Sequence, residues 1–230
     1  MQKSMSGSWL ALDVRQLDPS ELHLEILAAF DALGPGDAFV LVSDCDPRPL
    51  LLQFQAKRPM QFDWVPLETG PEQFRVEIRR RTSSGPRSVT EYLEDEHQRL
   101  QTLLDEIERL VDARAFGEAR AVLAELACGL GHHIDSEHNL IFPVFEAVTG
   151  GESWPTERLR AEHEQIVRLV QAVALNIVRR DARSADLVRV LGGFFSAHCA
   201  KEERVLYPLT DRAACDDRER HAIVARIQAM

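Results

Sequence analysis

The apolar positions of the chain follow one pattern before about residue 85 and another pattern after it. In the first part, short apolar runs are separated by Gly and Pro, which is typical of alternating strands and helices. In the second part, apolar residues recur every three or four positions over long stretches, as on one face of an amphipathic helix. The pattern therefore predicts two domains of different class.

The first part predicts a small α+β domain over residues 9–80. Its first helix opens at Pro19 and stops at Gly34, because the proline that follows cannot continue a helix and a nearby glycine can adopt positive φ. We expect the elements to pack as a two-layer sandwich in the order β-α-β-α-β-β. They are a strand at 9–14, a helix at 19–33, a strand at 37–42, a helix from about 49, and strands at 62–66 and 74–78.

The second part predicts an all-α up-down four-helix bundle over residues 88–212. A polar linker at 81–87, which contains Gly-Pro, precedes it. Ser88 and Glu91 have the spacing of a capping box, which marks the start of the first helix. The four helices are predicted at about 88–113, 118–148, 156–179 and 185–207, and the segment 213–230 should hold one more short helix, at 217–229.

Composition limits the classes of partner. At 230 residues and 45% hydrophobic composition the chain can form two modest cores. The net charge of −10 argues against binding to nucleic acid or to an anionic membrane surface, so small ligands are the expected partners. The apolar stretches are far shorter than the ~20 residues of a membrane span, and residues 1–8 lack the apolar core of a signal peptide. These features predict a cytoplasmic protein.

Four cysteines are widely spaced and form no Cys-x-x-Cys motif. This spacing is typical of reduced thiols and not of a disulfide framework or a thiolate zinc site. We expect Cys45, Cys128, Cys199 and Cys215 to be small buried residues.

The predicted bundle contains an internal repeat. Each copy carries a Glu-His pair on one helix and His-x-x-x-Glu, followed by an aromatic-Pro pair, on the next. The first and second histidines of the copies are 36 and 35 residues apart. Matched residues of two such copies meet around a pseudo-two-fold axis, which predicts a site with two similar metal positions. The matches are Glu96-His97 with Glu162-His163, and His133 to Pro143 with His198 to Pro208.

The spacing itself indicates metal chemistry. Residues four apart on a helix lie on the same face, so each His-x-x-x-Glu points an imidazole and a carboxylate at one volume. Such groups bind iron, manganese or zinc, and a carboxylate can bridge two ions. One His-x-x-x-Glu is common by chance, but two copies with matched flanks are not. The predicted metal ligands are His97, His133, Glu137, His163, His198 and Glu202.

The repeat also separates ligands from their neighbours. His132 aligns with Ala197, and His138 aligns with Glu203, so neither histidine is matched and both are excluded as ligands. Three glutamates are candidates to orient a ligand imidazole through its other nitrogen, with a solvated helix face as the alternative. They are Glu94, Glu96 and Glu203. The aromatic residues Phe142 and Tyr207 either wall the site or belong to the core, and the prolines that follow them should kink or end the helix.

From about Ser88 to Asp211 these motifs resemble the hemerythrin-like (HHE cation-binding) family. The resemblance implies a four-helix bundle with two iron ions joined by an oxo or hydroxo group, with manganese or zinc as substitutes. It makes Glu137 and Glu202 bridging carboxylates and the four histidines terminal ligands. Val167 stands where the oxygen-carrying members have a further histidine, so the site resembles the open four-His, two-Glu centres of iron–sulfur cluster repair proteins more than an oxygen carrier.

Residues 11–80 resemble the DUF2249 family, whose fold is similar to that of the TusA/SirA sulfur carriers. The resemblance rests on the motifs Leu12-Asp-Val-Arg15, Pro35-Gly-Asp37, Asp44 to Leu50, and Gly70-Pro71. The family often has His where Cys45 stands, and the early loop lacks the cysteine of the sulfur carriers. Sulfur transfer is therefore not expected of this domain.

Three functions fit these residues. The first is a di-iron module that binds or senses O2, NO or peroxide under oxidative or nitrosative stress, or donates iron. The second is a di-iron enzyme that turns over peroxide or NO with electrons from a redox or iron–sulfur protein partner, with Tyr207 and Cys199 as candidate redox groups. The third is a structural or regulatory role, in which metal braces the bundle and the N-terminal domain recruits a partner.

Overall fold

The computed structural model describes residues 10–15, 19–58, 60–82, 88–151, 153–181, 183–214 and 216–230. The chain divides into two compact units, Met1–Gly85 and Pro86–Met230, which are described separately below as the N-terminal unit and the bundle unit. The predictions for residues 1–8, for most of the linker at 81–87 and for Cys215 concern residues outside the described ranges.

The N-terminal unit contains a four-stranded mixed sheet with two helices. The strands lie in the order β1-β2-β4-β3, with β1 parallel to β2 and the other neighbours antiparallel. This confirms the predicted order of elements. β3 runs beyond its predicted end because its register with β4 shifts between Pro66 and Glu68 and pairing then resumes. The elements are β1 (Leu10–Asp13), α1 (Pro19–Asp31), β2 (Ala38–Ser43), α2 (Arg48–Lys57), β3 (Phe62–Thr69) and β4 (Phe74–Arg80).

An aromatic cluster forms the centre of the N-terminal core. Phe54 of α2 meets both Phe30 of α1 and Phe62 of β3 with ring centroids 5.2 Å apart and edge-to-face geometry. The same core contains the inward residues Phe39 and Leu41, which alternate along β2. The two helices therefore cover one face of the sheet, as the two-layer prediction required.

The bundle unit is all α-helical in its described residues, apart from turns. α3 packs on α4 and α7, and α6 packs on the same two helices, which closes a four-helix ring. The all-α prediction is confirmed. The four long helices are α3 (Val89–Asp112), α4 (Phe116–Ser136), α6 (Trp154–Arg179) and α7 (Ser184–Lys201), and the short ones are α5 (Phe142–Val148), α8 (Tyr207–Ala213) and α9 (Asp217–Gln228).

Two π-helical turns, Glu137–Ile141 and Glu202–Leu206, precede the two prolines that were predicted to kink or end the helix. In each turn the backbone N–H of the aromatic residue reaches back five positions, from Phe142 to the Glu137 carbonyl and from Tyr207 to the Glu202 carbonyl. The proline that follows the aromatic residue has no N–H to donate, and the wider turn accommodates it without ending the helix. Both turns begin at a predicted ligand.

The start of the bundle is joined to its end by side-chain capping. Ser88 Oγ accepts a hydrogen bond from the Glu91 N–H at 3.0 Å, which confirms the predicted N-cap. The Asp211 carboxylate, at the end of α8, accepts from the N–H groups of Val89 at 2.8 Å and Thr90 at 3.0 Å. Asp211 therefore links α8 to the first turn of α3.

The cysteine prediction is partly wrong. Cys199 is buried, but Cys45 and Cys128 are exposed, and none of these three forms a disulfide. Cys128 fails the prediction because it lies off the buried stripe of α4 that Leu126 and Leu130 define. Within the described residues, no helix is both long enough and apolar enough to span a membrane.

Candidate metal centre

The bundle brings all six predicted ligands together in its interior. Four lie on the long helices, one histidine on each, and two open the π-helical turns. At most 4% of any of the six residues is exposed. They are His97 on α3, His133 on α4, His163 on α6, His198 on α7, and Glu137 and Glu202 at the starts of the turns.

The ligand atoms fall into two groups whose members all lie within 4.8 Å of one another. We call the larger group site A and the smaller group site B. Glu202 belongs to both groups, so its carboxylate stands between two positions for a cation. Site A consists of Glu137, His163, His198 and Glu202, and site B consists of His97, His133 and Glu202.

The imidazoles meet through the nitrogens that a metal would use. Nε2 of His97 lies 3.2 Å from Nε2 of His133, and the corresponding nitrogens of His163 and His198 are 2.9 Å apart. Only one nitrogen of such a pair can donate a proton to the other. A cation between them accepts both lone pairs, so this geometry fits a metal better than it fits a hydrogen-bonded core.

Two carboxylate oxygens also lack donors. Glu137 Oε2 and Glu202 Oε1 are buried and accept no hydrogen bond from the described residues. Glu137 Oε2 is 3.0 Å from His163 Nε2, but the contact is an ionic one without hydrogen-bond geometry. Buried carboxylates are stable only when they are paired or coordinate a metal, so the donor set fits a bound cation.

In the absence of a cation, burial and the neighbouring charges shift the pKa values of the histidines and glutamates of the centre. Burial alone would lower the pKa of His163, but the Glu137 and Glu202 carboxylates outweigh it and raise the pKa to about 9. Burial raises the pKa of Glu137, whereas contacts with three histidines hold the pKa of Glu202 well below its usual value despite burial. The pKa values of the two glutamates are thus shifted in opposite directions, and a shared cation would favour the ionised form of both.

Three of the four histidines are held through their second nitrogen. His97 Nδ1 donates to Glu203 Oε1 at 2.8 Å, so Glu203 has the supporting contact that was one of its two alternatives. His198 Nδ1 donates to Glu162 Oε2 at 3.0 Å, and His163 Nδ1 lies 2.9 Å from His138 Nε2. Such partners fix the orientation of a ligand imidazole and adjust its basicity.

The predictions for the three glutamates that could orient a ligand imidazole were only partly correct. Glu96 pairs with Arg99 instead of a site histidine, and Glu94 is exposed. Glu162, which does contact a site histidine, was missed, although its match to Glu96 was the available signal. It precedes His163 in sequence but bonds across the helix interface to His198, which spacing along one helix cannot show.

His138 lies outside both ligand groups, as expected from its lack of a match. Its contact with His163 gives it a supporting position that the sequence did not predict. Burial, followed by the charge of His163, lowers the pKa of His138 to about 4. His138 is therefore a neutral partner of a ligand at neutral pH.

The two matched aromatic residues wall the centre in different ways. Phe142 stacks on the His163 ring, with an interplanar angle of 3° and centroids 5.9 Å apart. Tyr207 is tilted against His97, and its hydroxyl donates to Glu137 Oε1 at 2.6 Å while lying 3.0 Å from His97 Nε2. Only the second copy of the repeat therefore puts a hydroxyl among the ligand atoms.

An open pocket of about 450 Å³ lies beside α6, next to His163. His163 and His138 line it together with the apolar Ile134 and Val167. Val167, the position that distinguishes the chain from oxygen carriers in the resemblance described above, is 40% exposed in this pocket. The pocket therefore adjoins the His138 side of His163.

Comparisons with known families cover both units. Residues 88–210 match the family described as hemerythrin HHE cation binding domain, and residues 11–80 match the uncharacterized conserved protein family DUF2249. No curated protein and no solved structure matches the chain. The first match includes all six predicted ligands and both π-helical turns.

Proposed function

Because the chain belongs to the hemerythrin HHE cation-binding family, we propose that its centre holds two iron ions and binds or senses O2, NO or peroxide. In this proposal the protein acts under oxidative or nitrosative stress, with donation of iron as a related role. Manganese and zinc are substitutes that the same ligand types would accept.

One observation carries the proposal: four imidazole nitrogens and two carboxylates converge in a buried space where two of the carboxylate oxygens have no donor. His97 and His133 would hold one ion, His163 and His198 the other. Glu202, which belongs to both groups, would bridge them, and Glu137 would be the second carboxylate of the pair. When bound, iron would supply open coordination positions and a change of oxidation state.

The surroundings support binding of a small exogenous ligand. Six protein ligands shared by two ions would leave positions free, and the pocket at Val167 opens towards the His138 side of His163. Glu203, Glu162 and His138 hold three of the imidazoles in place, so the centre keeps its shape while a ligand enters. The wall by Phe142 limits water at the site A side.

The test is metal analysis combined with optical spectra. Protein purified without added metal is assayed for iron, manganese and zinc, then reduced and exposed in turn to O2, NO and peroxide. We expect two irons per chain and a distinct spectral change with at least one ligand. His133→Ala should lose both, whereas the matched control His132→Ala should keep them, since His132 is adjacent but belongs to neither group. Iron-loaded protein that responds to none of the three would contradict the proposal.

A second candidate is a di-iron enzyme that turns over peroxide or NO with an external electron donor. The Tyr207 hydroxyl, 3.0 Å from His97 Nε2 and hydrogen-bonded to Glu137, favours it because a phenol in this place can supply a proton or an electron to a bound ligand. Steady-state assays with a reductant decide between the two. Turnover that falls in Tyr207→Phe while ligand binding is retained would favour the enzyme.

A further inference from the structure

The two helix pairs repeat their ligands but not the residues behind them. In the second pair, Glu162 accepts a hydrogen bond from His198 Nδ1 at 3.0 Å. In the first pair, the matched Glu96 bonds Arg99 at 2.9 Å, and the matched Nδ1 of His133 has no hydrogen-bond partner within the described ranges. An imidazole without such a partner is less well oriented and a weaker donor to a metal.

Arg99 is the cause of this difference. It donates to both oxygens of Glu96 and thereby keeps the carboxylate away from His133. The guanidinium fits because Gly129 of α4 lies beside it, where a Cβ would stand 2.5 Å from Arg99 Nη2. In the second pair the matched positions hold Gln165 and Phe194. Arg158, on the same helix as Glu162, contacts only its Oε1, at 3.4 Å, which leaves Oε2 for His198.

In the second helix pair, a lysine helps to hold the glutamate beside its histidine. Lys201 Nζ donates to Glu162 Oε1 at 2.7 Å while the other oxygen of that carboxylate faces His198. The residue matched to Lys201 in the first pair is Ser136, whose hydroxyl donates to the His132 carbonyl instead. One glutamate is therefore held at its histidine and its counterpart is held away.

The aromatic pair adds a second, independent asymmetry. The Tyr207 hydroxyl lies 3.0 Å from His97 Nε2 and donates to Glu137 Oε1 at 2.6 Å, with a longer contact of 3.3 Å to Glu202 Oε2. Phe142, at the matched position, has no hydroxyl to place beside site A. Glu137 accordingly belongs to site A alone, which leaves four ligands at site A and three at site B.

We propose that the two sites hold iron with unequal strength, and that site B is the position from which iron exchanges with an external chelating acceptor. Arg99 acts as a positioning residue by withholding Glu96 from His133, and Tyr207 acts by withholding Glu137. The inference rests on the proposed function to the extent that it needs two bound ions.

The test is release of ferrous iron from the full chain, loaded without oxygen, into an excess of a ferrous chelator. We expect two phases of one equivalent each, with site B faster by about 10-fold to 100-fold, the range by which loss of such supporting contacts weakens metal sites. Two ions that leave in a single phase would overturn the inference and leave the proposed function standing. Fewer than two bound ions would overturn both.

Single variants show which site gives rise to each phase of iron release. Arg99→Gln installs the residue of the matched position, frees Glu96 and should slow the fast phase about 10-fold, whereas Arg99→Lys retains a cation at Glu96 and should leave the fast phase unchanged. Glu162→Ala should accelerate only the slow phase. Equal release from the two Arg99 variants would contradict the role of Arg99.

Tyr207→Phe tests the role of the tyrosine hydroxyl independently of Arg99. It frees Glu137 Oε1 and Glu202 Oε2 and should slow the fast phase, with two ions still bound. A faster phase in this variant would mean that the phenol oxygen is itself a ligand at site B, and this outcome would overturn the assignment of three ligands there.

Discussion

The N-terminal unit and the bundle unit bury very different groups at their centres. The first has an aromatic and aliphatic core around Phe30 and Phe54, and its one buried polar residue in the described ranges is Ser43. The second buries four histidines and two glutamates between its four long helices. An apolar core is stabilised by its own packing, whereas a core of ionisable groups needs a partner to be stable. Bound metal should therefore stabilise the bundle unit and have no effect on the stability of the N-terminal unit.

The most severe test removes a carboxylate of the centre. Glu202→Ala takes away the oxygens common to site A and site B, and Glu137→Ala the second carboxylate, so we expect both variants to lose paired metal binding. Glu94→Ala is the matched control, because Glu94 is exposed and belongs to neither group, so this variant should retain two ions. Metal analysis after gel filtration is the measurement, and two ions per chain in both carboxylate variants would break the assignment.

Metal removal tests the contrast between the units directly. Ligands that bind only the folded state stabilise it by about 4 kcal/mol each at 1,000 times Kd. We expect a chelator to lower the melting transition of the bundle unit by an amount that depends on metal concentration, with the transition of the N-terminal unit unchanged. Differential scanning calorimetry with and without iron measures this, and equal shifts of both transitions would contradict the comparison.

The reverse perturbation targets the apolar core. Phe54→Ala removes the ring that meets both Phe30 and Phe62, and such truncations cost roughly 3 kcal/mol or more. We expect the N-terminal unit to unfold at lower denaturant concentration while iron content stays at two per chain. Tryptophan fluorescence and metal analysis report the two results, and Leu24→Ala, at an exposed position, serves as the control.

The smallest expected effect concerns the capping contacts of the bundle. Asp211→Ala leaves the N–H groups of Val89 and Thr90 without their acceptor and should cost about 1 kcal/mol, as loss of a helix cap does. Because Asp211 touches no ligand of the centre, metal stoichiometry should be retained. Denaturant titration of the iron-loaded protein measures the change, and loss of metal in this variant would show that the cap and the centre are coupled.

The sequence predicted the elements of both units and the six residues that the bundle brings together. This succeeded because the ligands depend on one-turn spacing within a helix and on a repeat of that spacing, which are local properties. The supporting contacts depend on which side chains face each other across helix interfaces. Glu162 reaching His198, and Arg99 withdrawing Glu96, are decided by the space at Gly129 and by the charge of Lys201, and no periodicity encodes these.

The π-helical turns were missed for a related reason. Pro143 and Pro208 signalled a break in the helix, but the backbone can respond to a proline by ending, bending or widening a turn. The wider turn is compatible here because the helix on both sides is packed against its neighbours. The exposed Cys128 shows the converse, since its small apolar side chain suggested burial that its place on α4 does not provide.

The contact of Asp211 with the start of α3 has a topological consequence. It brings the last turn of the four-helix ring next to the first, while the two helix pairs are joined by a connection that contains Gly150 and Gly151. A circular permutant of the bundle, opened between these glycines and joined by a linker from α9 to α3, would exchange the order of the two pairs. The ring of helices would be unchanged. Assembly of the centre therefore depends on which helices are neighbours and not on which pair comes first in the chain.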